Sequence, residues 1–219
     1  MTALPKGIIF DMDGVLVDSE PYIIRAVTLA LAEFGLKITA EDFHPFTGTG
    51  EKNCIRGMAK NHNVSIDLEK ATKRTYDIYL ELISGNLKPL PGVKEFIADC
   101  KRLGKKIAVA TSADMQKAAG NFAELKIPLE TFDAVIAGNN VKHTKPAPDI
   151  FLLAAEKMGL KARDCLVIED AFSGIQAAKA AGAKCLAITS SFTPQILVGA
   201  DFYAPDLAHV PTEAVNWQY

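Results

Sequence analysis

Two aspartates stand two residues apart directly after a short apolar run near the start of the chain. The run Gly7-Ile8-Ile9-Phe10 is typical of a buried strand, and Asp11 and Asp13 follow it at once. Alternate side chains of an extended segment point to the same side, so the two carboxylates can share one site. Carboxylates this close repel each other unless a cation lies between them or one of them holds a proton. The spacing therefore makes a catalytic pair one interpretation and a simple strand end the other.

A calcium-binding loop is a third interpretation of Asp-x-Asp, and the following residues exclude it. Such a loop needs Asp or Asn again at its fifth position and Glu at its twelfth. Those positions hold Val15 and Tyr22 here.

The bulk composition is that of a globular protein with no excess of either charge. The 219 residues are 49% hydrophobic and 23% charged, with a formal net charge of −2. We therefore expect no nucleic-acid partner and no membrane partner. The N-terminal segment lacks the apolar core of a signal peptide, and the four cysteines form no C-x-x-C pair. These features favour a cytoplasmic protein with reduced thiols, and we expect a monomer or weak dimer.

The chain changes character twice after the first strand. Between about 19 and 84, apolar spacing predicts helices only, the first capped by Ser19 and the last by Asp67. The segment 86–92 then contains two prolines and a glycine, which predicts a linker. Beyond it, strands and helices alternate. The predicted strands lie at 106–111, 132–137, 165–168 and 183–188.

This alternation predicts an α/β fold with a parallel sheet covered by helices on both faces. A capping box, Ser173 with Gln176, is predicted to start the last helix at 173–181. Because the first strand has no partner until 106–110, the helical segment is an insertion. We predict a core formed by 1–16 and 88–219 and a helical cap formed by 17–87.

Polar residues follow each of the inner predicted strands, and the carboxyl ends of parallel strands meet at one edge of a sheet, where ligands bind. Thr111-Ser112 and Glu169-Asp170 follow two strands, and Lys145 lies in the loop after a third. Hard carboxylate oxygens suit magnesium, and Asp11, Asp170 and Glu169 offer them. Together with the first aspartates, these residues predict a site for Mg²⁺ and a phosphate group.

The chemistry expected of this set is phosphoryl transfer. Thr111, with the amides after it from Ser112 onward, can donate to phosphate oxygens, and Lys145 supplies a positive charge for them. Asp11 is then the nucleophile that forms an aspartyl-phosphate. Asp13 protonates the leaving oxygen and later activates water.

These motifs, in this order, resemble the haloacid dehalogenase superfamily, in its phosphatase/β-phosphoglucomutase-like branch. The matching segments are Asp11-Met12-Asp13-Gly14-Val15, Thr111, Lys145 in Lys-Pro-Ala-Pro-Asp, and the Glu169-Asp170 pair. The resemblance implies a Rossmann-like core, an inserted all-α cap that closes over the site, Mg²⁺, and the roles above for Asp11 and Asp13. It also implies that the Asp13 carbonyl is a metal ligand. The second aspartate separates the phosphoryl-transfer enzymes from the dehalogenases of the superfamily.

Three positions favour a phosphatase over a mutase of that branch. The mutases carry a histidine, an arginine and a lysine where this chain has Ile23, Glu51 and Thr75. A mutase must bind a bisphosphate and needs cap cations for the second phosphate, which Glu51 would repel. Other basic residues of the cap that could substitute are Lys52, Arg56, Lys73 and Arg74.

The sequence thus predicts a phosphatase of small phosphorylated metabolites, most simply sugar phosphates. The loop Thr47–Lys52 of the cap, with Thr49, Gly50, Glu51 and Lys52, is predicted to select the substrate. A β-phosphoglucomutase-type mutase is one alternative. A non-catalytic phospho-acceptor module, similar to a response-regulator receiver, is another.

Overall fold

A computed structural model describes residues 5–46 and 48–217, with His44 described by its backbone alone. Its centre is a six-stranded sheet in which every pairing is parallel, in the order β3-β2-β1-β4-β5-β6. The strands are β1 Gly7–Phe10, β2 Lys106–Ala110, β3 Ala134–Ile136, β4 Cys165–Glu169, β5 Lys184–Ile188 and β6 Phe202–Ala204. The predicted Rossmann-like α/β class is confirmed.

Helices fill the connections between the strands. The bounds are α1 Glu20–Glu33, α2 Ala40–Phe43, α3 Glu51–Asn61, α4 Leu68–Ile83, α5 Val93–Arg102, α6 Met115–Leu125, α7 Asp149–Lys157, α8 Phe172–Ala180 and α9 Thr212–Val215. As predicted, the described residues between α1 and α4 form no strand, and Asp67 caps α4 by accepting the Lys70 N–H. Within the described ranges, no helix is both long and apolar enough to cross a membrane. The division into core and cap remains a prediction.

The register of β1 between its two neighbours sets the geometry of the site. Phe10 pairs with Val109 of β2 on one side and with Ile168 of β4 on the other. Asp11, Thr111 and Asp170 therefore leave the sheet at one edge, within a residue or two of the same level. All four residues of β1 and all five of β4 are buried, as expected for strands covered on both faces.

The two faces of the sheet carry separate apolar clusters. Phe10 belongs to one cluster and packs edge-on against Phe96 and Phe132, with ring centroids 6.0 and 6.3 Å away. Ile9 belongs to the other cluster, with Phe151 of α7. The alternation of Ile9 and Phe10 between faces is the period of an extended strand, so β1 anchors both layers.

Hydrogen bonds from side chains shorten β3 relative to the predicted 132–137. The Asp133 carboxylate accepts the Ile107 N–H at 2.9 Å, directly before the first residue pair of the two strands, Ala108 and Ala134. Asn140 Oδ1 accepts the Ala137 N–H at 2.8 Å and ends the strand there. The short β6 and α9 after β5 were not predicted.

The predicted capping box at Ser173 is wrong. Helix α8 begins at Phe172, so Ser173 lies inside its first turn, and its buried hydroxyl has no hydrogen-bond partner among the described residues. The turn is held instead by Glu169, whose Oε2 accepts the N–H groups of Asp170 and Ala171 at 3.0 and 3.1 Å.

Truncating a leucine of β4 should destabilise the fold far more than truncating one on its surface. Leu166 is 0% exposed, and Leu166→Ala should lower the free energy of unfolding by about 2–5 kcal/mol because it leaves a cavity. Leu152 of α7 is 46% exposed, and Leu152→Ala should change it by less than about 0.5 kcal/mol. Denaturant titration of both variants measures the difference, and equal losses would contradict the assignment of β4 to the core.

Candidate active site

A buried lysine joins the ends of β1 and β4. Lys145 is 4% exposed, and its Nζ lies 2.5 Å from Asp11 Oδ1 and 2.5 Å from Glu169 Oε1. It also donates to the Ala110 carbonyl at 3.3 Å and lies 5.0 Å from the centroid of the Phe151 ring. Burial would lower the pKa of Lys145, but the Asp11 and Glu169 carboxylates outweigh burial and raise that pKa. Lys145 is therefore a fixed positive charge at the strand ends.

Three buried carboxylates surround this charge. One oxygen from each of Asp11, Glu169 and Asp170 lies within 4.8 Å of the others. Burial raises the pKa of Asp11 to about 7; Lys145 opposes this rise, and Glu169 and Asp13 add to it. Burial also holds the pKa of Asp170 well above its usual range, and the charges of Glu169 and Asp11 act in the same direction. The single positive charge of Lys145 therefore does not balance the three carboxylates when all of them are ionised.

The carboxylates of Glu169 and Asp170 differ in how many of their oxygens already accept hydrogen bonds. Glu169 has both oxygens engaged, one by Lys145 and the other by backbone N–H groups. Within the part of the chain that the structure describes, the side chain of Asp170 accepts one hydrogen bond, from the Ser191 hydroxyl to Oδ2 at 2.5 Å. An all-oxygen cluster with excess negative charge fits a hard divalent cation. In this arrangement Asp11 and Asp170 are better placed to bind it than Glu169.

Gly14 is required beside this cluster. Its φ of +76° lies in the left-handed region, and a Cβ there would come within 1.9 Å of Asp170 Oδ2. Any other residue would be strained and would displace the carboxylate. The Gly14 carbonyl also accepts the Ser190 hydroxyl at 2.5 Å, which ties the turn after β1 to the loop after β5.

Asp13 lies outside the carboxylate cluster, and its side chain has different partners. The Ser19 hydroxyl donates to Asp13 Oδ1, and Lys117 Nζ of α6 lies 2.8 Å from Asp13 Oδ2. Ser19 precedes α1 as predicted, but its hydroxyl bonds Asp13 and does not cap the helix. The second contact of Lys117 is Glu51 Oε1 of α3 at 2.7 Å. The two aspartates of the motif are thus held by two different lysines.

Thr111 and Ser112 lie at the start of the turn into α6. Thr111 is buried, and its Oγ1 accepts the Ala113 N–H at 3.1 Å. The Ser112 hydroxyl donates to the Gly48 carbonyl at 3.1 Å, which links the sheet edge to the loop before α3. Both residues line the same pocket as Asp11 and Asp13. Their predicted binding of phosphate stays a prediction.

The pocket runs from the strand ends to the helices α1 and α3. Its further lining includes Glu20, Ile23, Phe43, Phe46 and Cys54. Of the predicted substrate-selecting residues, Gly50 and Glu51 line it. Thr49 and Lys52 are not among its lining; Thr49 donates to the Phe46 carbonyl, and Lys52 pairs with Glu69 at the surface. Thr47 lies outside the described residues.

The basic side chains considered for a second phosphate have other partners. Lys73 pairs with Asp77, Arg74 with Glu33, and Arg56 donates to Asn53 Oδ1. Among the described residues that line the pocket, Lys117 is the single basic one, and two carboxylates already neutralise it.

Two parts of the site were not predicted, although each had a signal in the sequence. Lys117 and Asn121 lie on the buried face of α6 with Leu125, so their spacing placed a lysine at a core position. Ser190 and Ser191 follow β5 in the same way that Thr111 and Asp170 follow their strands. Applying the strand-end argument to 183–188 would have found them.

Known proteins similar to this chain agree in family and in fold. The sequence model of a family described as haloacid dehalogenase-like hydrolases matches residues 8–188. Fructose-1-phosphate phosphatase YqaB of Escherichia coli is 33% identical over 80% of this chain and 92% of its own length. The crystal structure of CbbY from Rhodobacter sphaeroides in complex with phosphate has a TM-score of 0.87 at 26% identity, covering 94% of this chain and 96% of that one.

A plant relative is longer. The chloroplastic protein SUPPRESSOR OF QUENCHING 1 of Arabidopsis thaliana is 40% identical over 89% of this chain, which spans 19% of that protein's length. The relative from Escherichia coli carries the name of a phosphatase, in agreement with the predicted phosphoric monoester hydrolase. The matched family model covers well over half of the chain and, apart from Gly7, contains the strands β1, β2 and β4, which lead into Asp11, Thr111 and Glu169-Asp170. The chain belongs to the haloacid dehalogenase-like hydrolase family.

Proposed function

We propose that this chain is a magnesium-dependent phosphatase of small phosphorylated sugars that works through an aspartyl-phosphate on Asp11. The observation that carries the proposal is the separation of the two motif aspartates. Asp11 lies in the carboxylate cluster beside Lys145, whereas Asp13 is held by Ser19 and Lys117. Two carboxylates in different surroundings can take different roles in one reaction. The name of the Escherichia coli relative supports a sugar phosphate as substrate.

Magnesium fits the donor set of this site. Asp11 and Asp170 would hold it, with the Asp13 carbonyl as a further ligand. Mg²⁺ takes one or two carboxylates, and water and phosphate oxygens complete its shell. When bound, the ion polarises the phosphoryl group and reduces the repulsion between the phosphate and Asp11.

The residues then act in two steps. An Asp11 carboxylate oxygen attacks phosphorus, the bond from phosphorus to the ester oxygen breaks, and the electron pair leaves with that oxygen, which takes a proton from Asp13. Water, giving its proton to Asp13, next attacks phosphorus and breaks the bond to Asp11, which releases inorganic phosphate. Lys145 and Thr111 hold the phosphate oxygens throughout.

The charges in the pocket support hydrolysis over a mutase reaction. A mutase must hold a second phosphate, and the buried Glu51, which lines the pocket, is acidic at the position where the mutases that this chain resembles carry an arginine. The cap cations that could replace it pair elsewhere at the surface. Helices α1–α4 are proposed to act as the cap that excludes water. The cytoplasmic location and the monomer or weak dimer remain predictions.

Replacing the nucleophile should abolish hydrolysis. With Mg²⁺ and a panel of sugar phosphates, the wild type should release phosphate and form no isomeric sugar phosphate. Asp11→Asn keeps the shape of the side chain and should lose on the order of 10³-fold or more in kcat. Acid quenching during turnover should trap a phosphoryl group on the peptide that contains Asp11.

The exposed Asp18 lies in the same segment, and Asp18→Asn is the matched control that should retain activity. Normal hydrolysis by Asp11→Asn would contradict the nucleophile assignment. Isomer formation without phosphate release would show a mutase, and a stable phosphoprotein without turnover would show a phospho-acceptor module.

The raised pKa of Asp11 predicts a pH dependence of stability in EDTA. Between the unfolded value of 3.8 and the folded value of about 7, the folded chain binds more protons at this group. Its contribution to the free energy of unfolding therefore falls as pH rises, by on the order of 1.4 kcal/mol per pH unit. Asp11→Asn lacks this titration, so its stability relative to wild type should grow up to about pH 7 and then level off. A pH-independent difference in urea titrations would contradict the prediction.

Magnesium should stabilise the wild type and not a variant that lacks a ligand. Near pH 8, Mg²⁺ at about 100 times its Kd should add about 2.7 kcal/mol to the free energy of unfolding and raise the Tm. Asp170→Asn should be at least as stable as wild type in EDTA, because it removes one of the repelling charges, and should gain little from Mg²⁺. Thermal scans with Asp18→Asn as control measure this, and an equal gain in Asp170→Asn would rule out Asp170 as a ligand.

A further inference from the structure

The ion pair between Lys117 and Glu51 takes no part in the two proposed steps of hydrolysis. Lys117 is 1% exposed and Glu51 is 6% exposed, so the pair is buried between α6 and α3. Burial would lower the pKa of Lys117, but Asp13 and Glu51 outweigh it and hold that pKa well above its usual range. The geometry agrees with this direction, because Lys117 contacts two carboxylates, and contacts of this kind favour the charged form of a lysine.

Lys117 and Ser19 together hold both oxygens of Asp13. The Asp13 side chain is 32% exposed, so its contacts and not its packing determine its orientation. Terminal torsions of carboxylates are broad, and a partner at each oxygen limits the rotation. A group that delivers a proton must lie within hydrogen-bond distance of the acceptor oxygen. A protonated carboxyl oxygen keeps acceptor capacity, so Oδ1 can accept the Ser19 hydroxyl and still carry the proton for the leaving oxygen while Lys117 stays on Oδ2. The two contacts thus fix the orientation on which proton transfer depends.

Lys117 is itself held from the helices α3 and α4. Glu51 Oε2 accepts the Tyr76 hydroxyl at 2.9 Å, and the Tyr76 oxygen accepts the Asp114 N–H at 3.2 Å. Lys117 Nζ also lies 5.0 Å from the centroid of the Tyr79 ring. A continuous set of contacts therefore runs from the predicted cap to the carboxylate of Asp13.

We propose that Lys117 is a positioning residue that orients Asp13 for proton transfer to the leaving oxygen, and that Glu51 is the buried counter-charge that holds Lys117. The proposal rests on the proposed function, because it needs Asp13 as the acid. Lys117 acts through Asp13: two of its three N–H donors bond the carboxylates of Asp13 and Glu51.

Leaving groups distinguish this role from a purely structural one. A sugar alkoxide is a poor leaving group and needs the proton from Asp13 as the bond from phosphorus to oxygen breaks. The nitrophenolate of 4-nitrophenyl phosphate leaves without it. Since kcat/KM reports the steps up to the first bond cleavage, a misplaced Asp13 should lower kcat/KM for the sugar ester selectively.

The test compares kcat/KM for both substrates in wild type, Lys117→Met and Asp13→Asn. Lys117→Met should lose about 10²-fold with the sugar phosphate, within the range for general acid catalysis, and less than about 10-fold with 4-nitrophenyl phosphate. Asp13→Asn should show the same selectivity. The double variant should be no worse than Asp13→Asn alone by more than about 3-fold, because both changes remove one coupled function.

Two further variants keep the test decisive. Lys117→Met leaves Glu51 buried without a counter-charge, so a Lys117→Met, Glu51→Gln variant removes both charges and should show the same selective loss in a folded protein. Lys73→Met removes an exposed ion pair on α4 and should leave both rates unchanged. Circular dichroism and Tm report folding of each variant.

The outcomes separate the two proposals. Equal losses with both substrates, or losses that add fully to those of Asp13→Asn, would overturn the positioning role of Lys117 alone. Normal turnover by Asp11→Asn, or no hydrolysis of either ester by wild type, would overturn the proposed function itself.

Discussion

The crowding of buried carboxylates at one edge of the sheet is the constraint on which the rest of the site depends. Asp11, Glu169 and Asp170 come together because β1 and β4 are adjacent parallel strands in register. Burial raises the free energy of their charged forms, and each charge adds to the cost of the others. Lys145 offsets part of this cost by contacting two of the three. The remaining excess of negative charge is what makes the edge receptive to protons and cations.

The close packing around these carboxylates explains why small residues stand beside them. A Cβ at Gly174 would come within 1.8 Å of Glu169 Oε1, so α8 can approach the strand end only with glycine there. This approach lets Glu169 accept the first N–H groups of the turn and also reach Lys145. Backbone conformation and electrostatics are therefore coupled: the turn into α8 is stable because the carboxylate that it buries is the group that caps it.

The sequence predicted the parts of this arrangement that follow from local pattern and from sheet topology. Apolar runs gave the strands, and parallel pairing then brought Asp11, Thr111 and Asp170 to one edge without any knowledge of side-chain contacts. The contacts of Asp13 could not be predicted in this way. They depend on how α3 and α6 pack, which places Glu51 against Lys117 across 66 positions of sequence. The Ser19 hydroxyl was also misassigned: a local rule gave it to a helix cap, whereas it donates to the carboxylate of Asp13, six residues earlier.

The two motif aspartates have similar ionic surroundings, and the charges of these groups limit what the pocket can bind. Each has a buried lysine that it shares with a glutamate: Lys145 with Glu169 for Asp11, and Lys117 with Glu51 for Asp13. Each group of three carries one net negative charge when fully ionised. Each lysine already contacts two carboxylates, so neither offers an uncompensated charge to a second anionic group of a substrate. A substrate with one phosphate and an otherwise uncharged, hydroxyl-rich body meets this condition, because only its phosphate must be matched by positive charge at the strand ends.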